Sequence, residues 1–146
     1  MKRSSVVTGV IDPTPLIAEV RSNEIGAISV FLGTVRDTNG GRSVTGLDYS
    51  AYTSMAESEL SNIVDEAENR FAVRSIVVEH RVGELSLGDV SVAIVTAHQH
   101  REPAMECTRF IIDEIKRRVP IWKRERYVDG QTVWVDPTRP SGAAAQ

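Results

Sequence analysis

The chain has 146 residues, of which 41% are hydrophobic and 25% charged, and its formal net charge is −3. That size and composition suit one globular domain, and a net acidic chain is not built to coat nucleic acid. No apolar run approaches the ~20 residues that span a bilayer. The single cysteine, Cys107, excludes a disulfide framework and a cysteine-rich zinc site.

The N-terminal stretch begins with basic residues, but Thr8, Gly9 and Asp12 break its apolar run, so no secretory signal is expected. With so little cysteine, a reducing, cytoplasmic setting is the expectation. Residues 6–10 read as a short strand. Residues 13–21 read as a short helix with Asp12 as cap and Pro13 at its first position. Residues 26–36 alternate and carry β-branched side chains, which predicts a strand. DTNGGR at 37–42 is a turn, and 44–52 is a second strand, making a hairpin or a strand–loop–strand unit with the first.

Residues 54–70 give the clearest helix: Ser54 and Glu57 have capping-box spacing, and Ala56, Leu60, Ile63, Val64 and Ala67 share one face. Strands are predicted at 74–82 and 90–98 with a loop at 83–88 between them. A second long helix covers 103–118, stopped by Pro120. Strands at 121–128 and 132–135 flank the turn Asp129-Gly130. Strand pairs separated by single helices predict an α+β fold with a largely antiparallel sheet and two main helices. One domain over 1–136 and a flexible tail over 137–146 are expected, because DPTRPSGAAAQ is small, polar and proline-bearing.

Charge is uneven along the chain. Between Lys116 and Arg126 stand six basic residues and one acid, a net +5, so the remainder sums to −8. A cationic cluster on an acidic chain suits a small anionic ligand. Cations at the end of a helix are also favoured by its dipole, which accounts for Lys116 and Arg117 without any ligand. Crowded cations lower one another's pKa, and a lysine so shifted can move protons near neutral pH. Arg36 ends a strand beside the glycine-rich turn, where it can clamp a phosphate or solvate the strand end. His100 and Arg101 precede a helix whose free N–H groups favour an anion. His98 and His100 have the i, i+2 spacing of metal ligands, with His80 as a conceivable third. No acidic or thiol partner stands at a recognisable spacing, so no metal or other cofactor is expected. Cys107 is expected to be a packing residue, and Trp122 and Trp134 to be core or pocket wall.

Five segments together resemble the large, catalytic subunit of molybdopterin synthase. They are GTVRDTNGG (33–41), VDEAENRF (64–71), HRVGELSLGD (80–89), HREPAMECTRFIIDEIK (100–116) and VPIWKRE (119–125). The resemblance implies an α/β hammerhead-type domain with additional antiparallel strands. It implies a sulfurtransferase that converts cyclic pyranopterin monophosphate into molybdopterin. The sulfur would come from a small ubiquitin-like partner whose C-terminal Gly-Gly carries a thiocarboxylate. The catalytic subunits would form a central dimer with one small subunit at each end. Residue by residue, it implies Lys116 and Lys123 as the catalytic pair and Arg36, His100 and Arg101 as substrate-binding residues. Arg139 is a further substrate-binding candidate from the C-terminal segment. No membrane or nucleic-acid partner is implied. The alternative is a non-catalytic module using the same basic surface to bind a small anion or an acidic protein tail.

Overall fold

The computed structural model describes residues 1–135. Its elements run β1 (Lys2–Val7), α1 (Pro13–Val20), β2 (Ala27–Thr34), β3 (Thr38–Asn39), β4 (Arg42–Ala51), α2 (Thr53–Phe71), β5 (Ser75–Arg81), β6 (Gly83–Ser86), β7 (Val90–His98), α3 (Arg101–Arg118), β8 (Ile121–Tyr127) and β9 (Thr132–Val135). The fold is α+β, as expected, with two long helices and one short one. Among the described residues no helix is long and apolar enough to cross a membrane.

One sheet has the order β1-β5-β7-β2. β1 lies parallel to β5, and the other neighbours are antiparallel. This sheet is covered on both faces at its centre. Ile76, Val78, Val92 and Ile94 pack into the cluster that holds the apolar stripes of α2 and α3. Val77, Ala93, Val95 and Ala97 face the other way, onto Leu16 and Val20 of α1. Burial on two faces explains why β5 and β7 read as near-continuous apolar runs rather than alternating ones. Each fully buried isoleucine or leucine there stabilises the fold by roughly 1.5–3 kcal/mol.

The second sheet has the order β3-β4-β8-β9, with β6 also paired to β4. The expected strands at 26–36 and 44–52 therefore do not pair; the strand–loop–strand alternative holds, and β2 and β4 enter different sheets. β8 and β9 form the predicted hairpin, with Gly130 at φ 85° in its turn.

Several expectations are corrected. The first strand is β1, at Lys2–Val7 rather than 6–10, because backbone pairing to β5 starts with Lys2 opposite Ile76. The segment 83–88 is not all loop: Gly83–Ser86 pairs with β4. Ser54 does not cap α2. The N-cap is Tyr52, without a side-chain cap bond, and the Glu57 carboxylate instead accepts from the Val6 amide at 3.2 Å. The last long helix begins at Arg101, two residues before Pro103. Trp134 is neither core nor pocket wall: it is 56% exposed, with the Arg124 guanidinium 5.2 Å from its ring centroid. The predicted tail at 137–146 lies outside the described residues.

Candidate active site

Where the two sheets meet, a cavity of about 240 Å³ opens between the C-terminal ends of β2 and α3 and the face of β8. Arg36, Lys116 and Lys123 all line it. Three local features bring them together. β2 ends at Thr34, which leaves Arg36 on the following turn. Lys116 occupies the last turn of α3. Val119-Pro120 stops that helix, and β8 then pairs antiparallel with β4, placing Lys123 opposite Tyr49. Strand alternation turns Lys123 and Glu125 into the cavity and Arg124 and Arg126 to the opposite face. Apolar side chains such as Phe31, Leu47, Ile112 and Ile115 make the cavity walls.

Most of the basic cluster is already neutralised. Arg118 is paired with Glu59, Glu66 and Glu114, and Arg117 with Glu114. Arg124 and Arg126 share Asp48, whose carboxyl their guanidinium groups hold below its usual range against the opposing effect of burial. Among the described residues Arg36 and Lys116 form no ion pair. The Lys116 pKa is lowered, first by desolvation and then by the charges of Lys123 and Arg36. Its side chain remains accessible through the cavity mouth, so the shift reflects the surrounding protein rather than complete burial.

Lys123 Nζ stands 3.2 Å from Glu125 Oε1. Glu125 is only 2% exposed and collects three partners. Asn39 Nδ2 donates to both carboxylate oxygens at 2.7 and 2.9 Å, and the Tyr127 hydroxyl donates at 2.9 Å. Burial pushes this carboxyl up, but the Asn39 amide, the Lys123 charge and the Tyr127 hydroxyl outweigh it, and the net shift is downward. Glu125 thus ties the catalytic candidate Lys123 to the β3–β4 turn. Sequence reasoning passed over both Glu125 and Asn39. The i, i+2 spacing of Lys123 and Glu125 on a strand was the available signal for the first. Nothing local pointed to Asn39, whose partner lies 86 positions away.

At the inner end of the cavity lie His80 and Tyr49, with ring centroids 5.1 Å apart in an edge-on arrangement. His80 Nδ1 is 3.0 Å from the Arg81 carbonyl oxygen. Burial pushes the His80 pKa down to about 4, with Lys116 adding to the effect. Burial also raises the Tyr49 phenol.

His100 and Arg101 are not in this cavity. They form the N-cap and first residue of α3, about 22 Å along the helix axis from Lys116 at ~1.5 Å per residue. His98 Nδ1 accepts the His100 backbone N–H at 2.9 Å, which occupies one nitrogen of the expected histidine pair. Among the described residues no group of three or more His, Cys, Asp or Glu side chains is placed to hold a metal ion. Cys107 is buried in the helix–sheet core, and burial pushes its thiol up to about 12. Arg139 lies outside the described residues.

The structure is a two-sheet α+β domain with three cations converging on one cavity, and comparison with known proteins specifies its family. The model of the MoaE protein family matches residues 6–118. The molybdopterin synthase catalytic subunit of Pyrococcus abyssi is 43% identical over 84% of this chain and 82% of its own length. That of Bacillus subtilis is 36% identical over 92% of this chain and 85% of its own. The crystal structure of molybdopterin synthase from Staphylococcus aureus superposes with a TM-score of 0.84 at 32% identity, covering 89% of this chain and 94% of that one. The MoaE protein of Burkholderia ambifaria gives a TM-score of 0.82 at 33% identity, over 99% of this chain and 95% of that one. The chain belongs to the MoaE family, and its enzymatic role is that of a molybdopterin synthase catalytic subunit. The non-catalytic alternative is thereby set aside.

Proposed function

We propose that this cavity binds cyclic pyranopterin monophosphate. It would receive the thiocarboxylated Gly-Gly terminus of a small ubiquitin-like subunit, so that two sulfurs are installed as the dithiolene of molybdopterin. The observation that carries this reading is the convergence of Arg36, Lys116 and Lys123 on one cavity while the neighbouring arginines are spent on ion pairs. Arg36 supplies a forked donor for the phosphate. Lys116 moves protons, because its surroundings favour the neutral amine. Lys123, fixed by Glu125, stabilises charge that develops as sulfur attacks and oxygen leaves. The need for an outside sulfur source fits the chain's own chemistry, since its single cysteine is a buried, protonated thiol. A solved protein of the same fold, from Helicobacter pylori, is described as a complex of subunits 1 and 2 of molybdopterin-converting factor. We place the reaction in the cytoplasm.

His100 and Arg101 enter this reading through a second copy of the chain. β2 is an edge strand whose outer side chains Ile28, Val30 and Leu32 are 36%, 40% and 37% exposed. Its N-terminal residue Ala27 lies opposite His98, beside the start of α3, whereas its C-terminal end leads to Arg36. Antiparallel pairing of two β2 edges about a two-fold axis carries His100 and Arg101 of one copy toward the Arg36 end of the other.

Lys123→Ala is expected to abolish dithiolene formation in a reconstituted assay while the fold and partner binding remain intact. Activity above about a tenth of wild type would remove Lys123 from this role. The two-copy arrangement predicts that mixing inactive Lys123→Ala and Arg101→Ala chains restores activity, to about a quarter of wild type if subunits exchange freely. No recovery on mixing would confine the site to one chain.

A further inference from the structure

The charged groups of the cavity are mostly donors: Arg36, Lys116 and Lys123 are cationic. The hydroxyls that line it, such as Tyr49 and Ser91, can donate or accept, and Ser91 donates to the Gly33 carbonyl at 3.2 Å. The one carboxylate among the described lining residues, Glu125, is saturated by Asn39, Tyr127 and Lys123. His80 is different. It is only 6% exposed, and its Nδ1 faces the Arg81 carbonyl oxygen, which can only accept. The proton therefore sits on Nδ1, and Nε2 is left as an acceptor. Among the described residues Nε2 has no hydrogen-bond partner. Yet among the described residues the single buried side-chain polar atom without a partner is Arg81 Nε. His80 Nε2 is thus in contact with open space, and for a side chain this buried that space is the cavity it lines.

We propose that His80 Nε2 is a specificity-determining acceptor that reads a hydrogen-bond donor, an N–H of the heterocycle, at the inner end of the cavity. The inference rests on the proposed function and extends it. The cationic mouth takes the anionic group, the apolar walls take the ring faces, and His80 selects for a ring edge that carries a donor. With its pKa near 4, set by burial and reinforced by the charge of Lys116, the imidazole stays neutral through the physiological range. A neutral acceptor keeps its lone pair where an imidazolium would add a fourth positive charge and repel the donor.

Two substitutions separate this role from the ring's bond to Arg81. His80→Asn keeps an amide N–H near the place of Nδ1 and removes the acceptor. His80→Gln returns an amide oxygen near the place of Nε2. With the thiocarboxylated partner present, the KM for cyclic pyranopterin monophosphate should rise about three- to tenfold in His80→Asn, the usual consequence of losing one hydrogen bond to a ligand. It should recover toward wild type in His80→Gln. Inorganic phosphate, which probes the cationic mouth alone, should bind both variants as it binds the wild type. An unchanged KM in His80→Asn overturns the proposal, and so does an equal weakening of inorganic phosphate. A measurement on the unaltered chain stands if the variants fail to fold. The 15N resonance of His80 Nε2 should move when the cyclic phosphate is added and stay in place with inorganic phosphate; a resonance unmoved by the cyclic phosphate refutes it. If the wild-type complex neither binds nor converts the cyclic phosphate, the proposed function falls and this inference with it. If the wild type works and His80→Asn matches it, only this inference falls.

Discussion

Lys123 and Arg124 are neighbours on one strand, yet they belong to different regions of the molecule. On the cavity face, Lys123 meets Lys116 and Arg36, three cations against one carboxylate, that of Glu125. On the opposite face, Arg124 and Arg126 close onto Asp48 with N–O distances of 2.9 and 2.7 Å, and the Arg124 guanidinium lies over Trp134. The helix repeats the contrast: among the described residues Lys116 forms no ion pair, while Arg118, two residues later, is held by three glutamates. A run of like charge in sequence is therefore a poor measure of charge available to a ligand. What matters is where the carboxylates of other segments fall. In the cavity region desolvation, and then repulsion from Lys123 and Arg36, lowers the Lys116 pKa. The back face spends its charge on holding strands together.

The sharpest way to break this contrast is to remove one cation from each side. Lys116→Ala is expected to lower turnover by about a hundredfold, in the range typical of lost acid–base catalysis. Thermal stability should stay level or rise, because a crowded charge is gone. Arg124→Ala should leave turnover within about twofold of wild type and cost at most about 1 kcal/mol in unfolding free energy, as half-exposed ion pairs do. Equal activity losses in the two variants would erase the distinction.

The next largest effect is on stability in acid. His80 is buried and neutral, with its pKa lowered from 6.5 to about 4. Between those values the unfolded chain binds a proton that the folded chain refuses. Stability therefore falls as pH drops from 6.5 toward 4, by about 3 kcal/mol in total from this group. Urea unfolding across that window should show the slope in wild type and lose it in His80→Gln. A wild-type curve that is flat there contradicts the buried placement of the ring.

The smallest expected change is at Glu125. Its carboxyl has a depressed pKa, so its contribution is complete above the ordinary value of 4.5 and disappears as pH falls through the lower folded value. Glu125→Gln keeps the shape and weakens the charge-assisted bonds to Asn39 and Lys123, at a cost of about 1–2 kcal/mol. Because Lys123 loses its anchor, activity should fall more steeply than stability. Activity retained in full at reduced stability would make Glu125 a purely structural residue.

The long helices, the terminal hairpin and the α+β class were readable because each rests on short-range signals: a 3.6-residue stripe, a proline stop, an Asp-Gly turn. Three of the misplacements come from long-range partners: β1 is set by pairing with β5, β6 by pairing with β4, and the Glu57 carboxylate expected in a capping box is drawn to the Val6 amide 51 positions away. Arg36, Lys116 and Lys123 were all candidates from sequence, and the fold brings them to one cavity. His100 and Arg101 were placed with them, but the length of α3 keeps them apart within one chain.

The amino-acid order by itself determined the periodicities, the stops and the excess of cations between Lys116 and Arg126, since all three depend on residues within a turn or two of one another. Only the tertiary structure decided which of those cations remain free, which histidine nitrogen faces the cavity and which carboxylate anchors Lys123. Those outcomes depend on partners up to 86 positions distant along the chain, and no local pattern encodes a distance that folding alone closes.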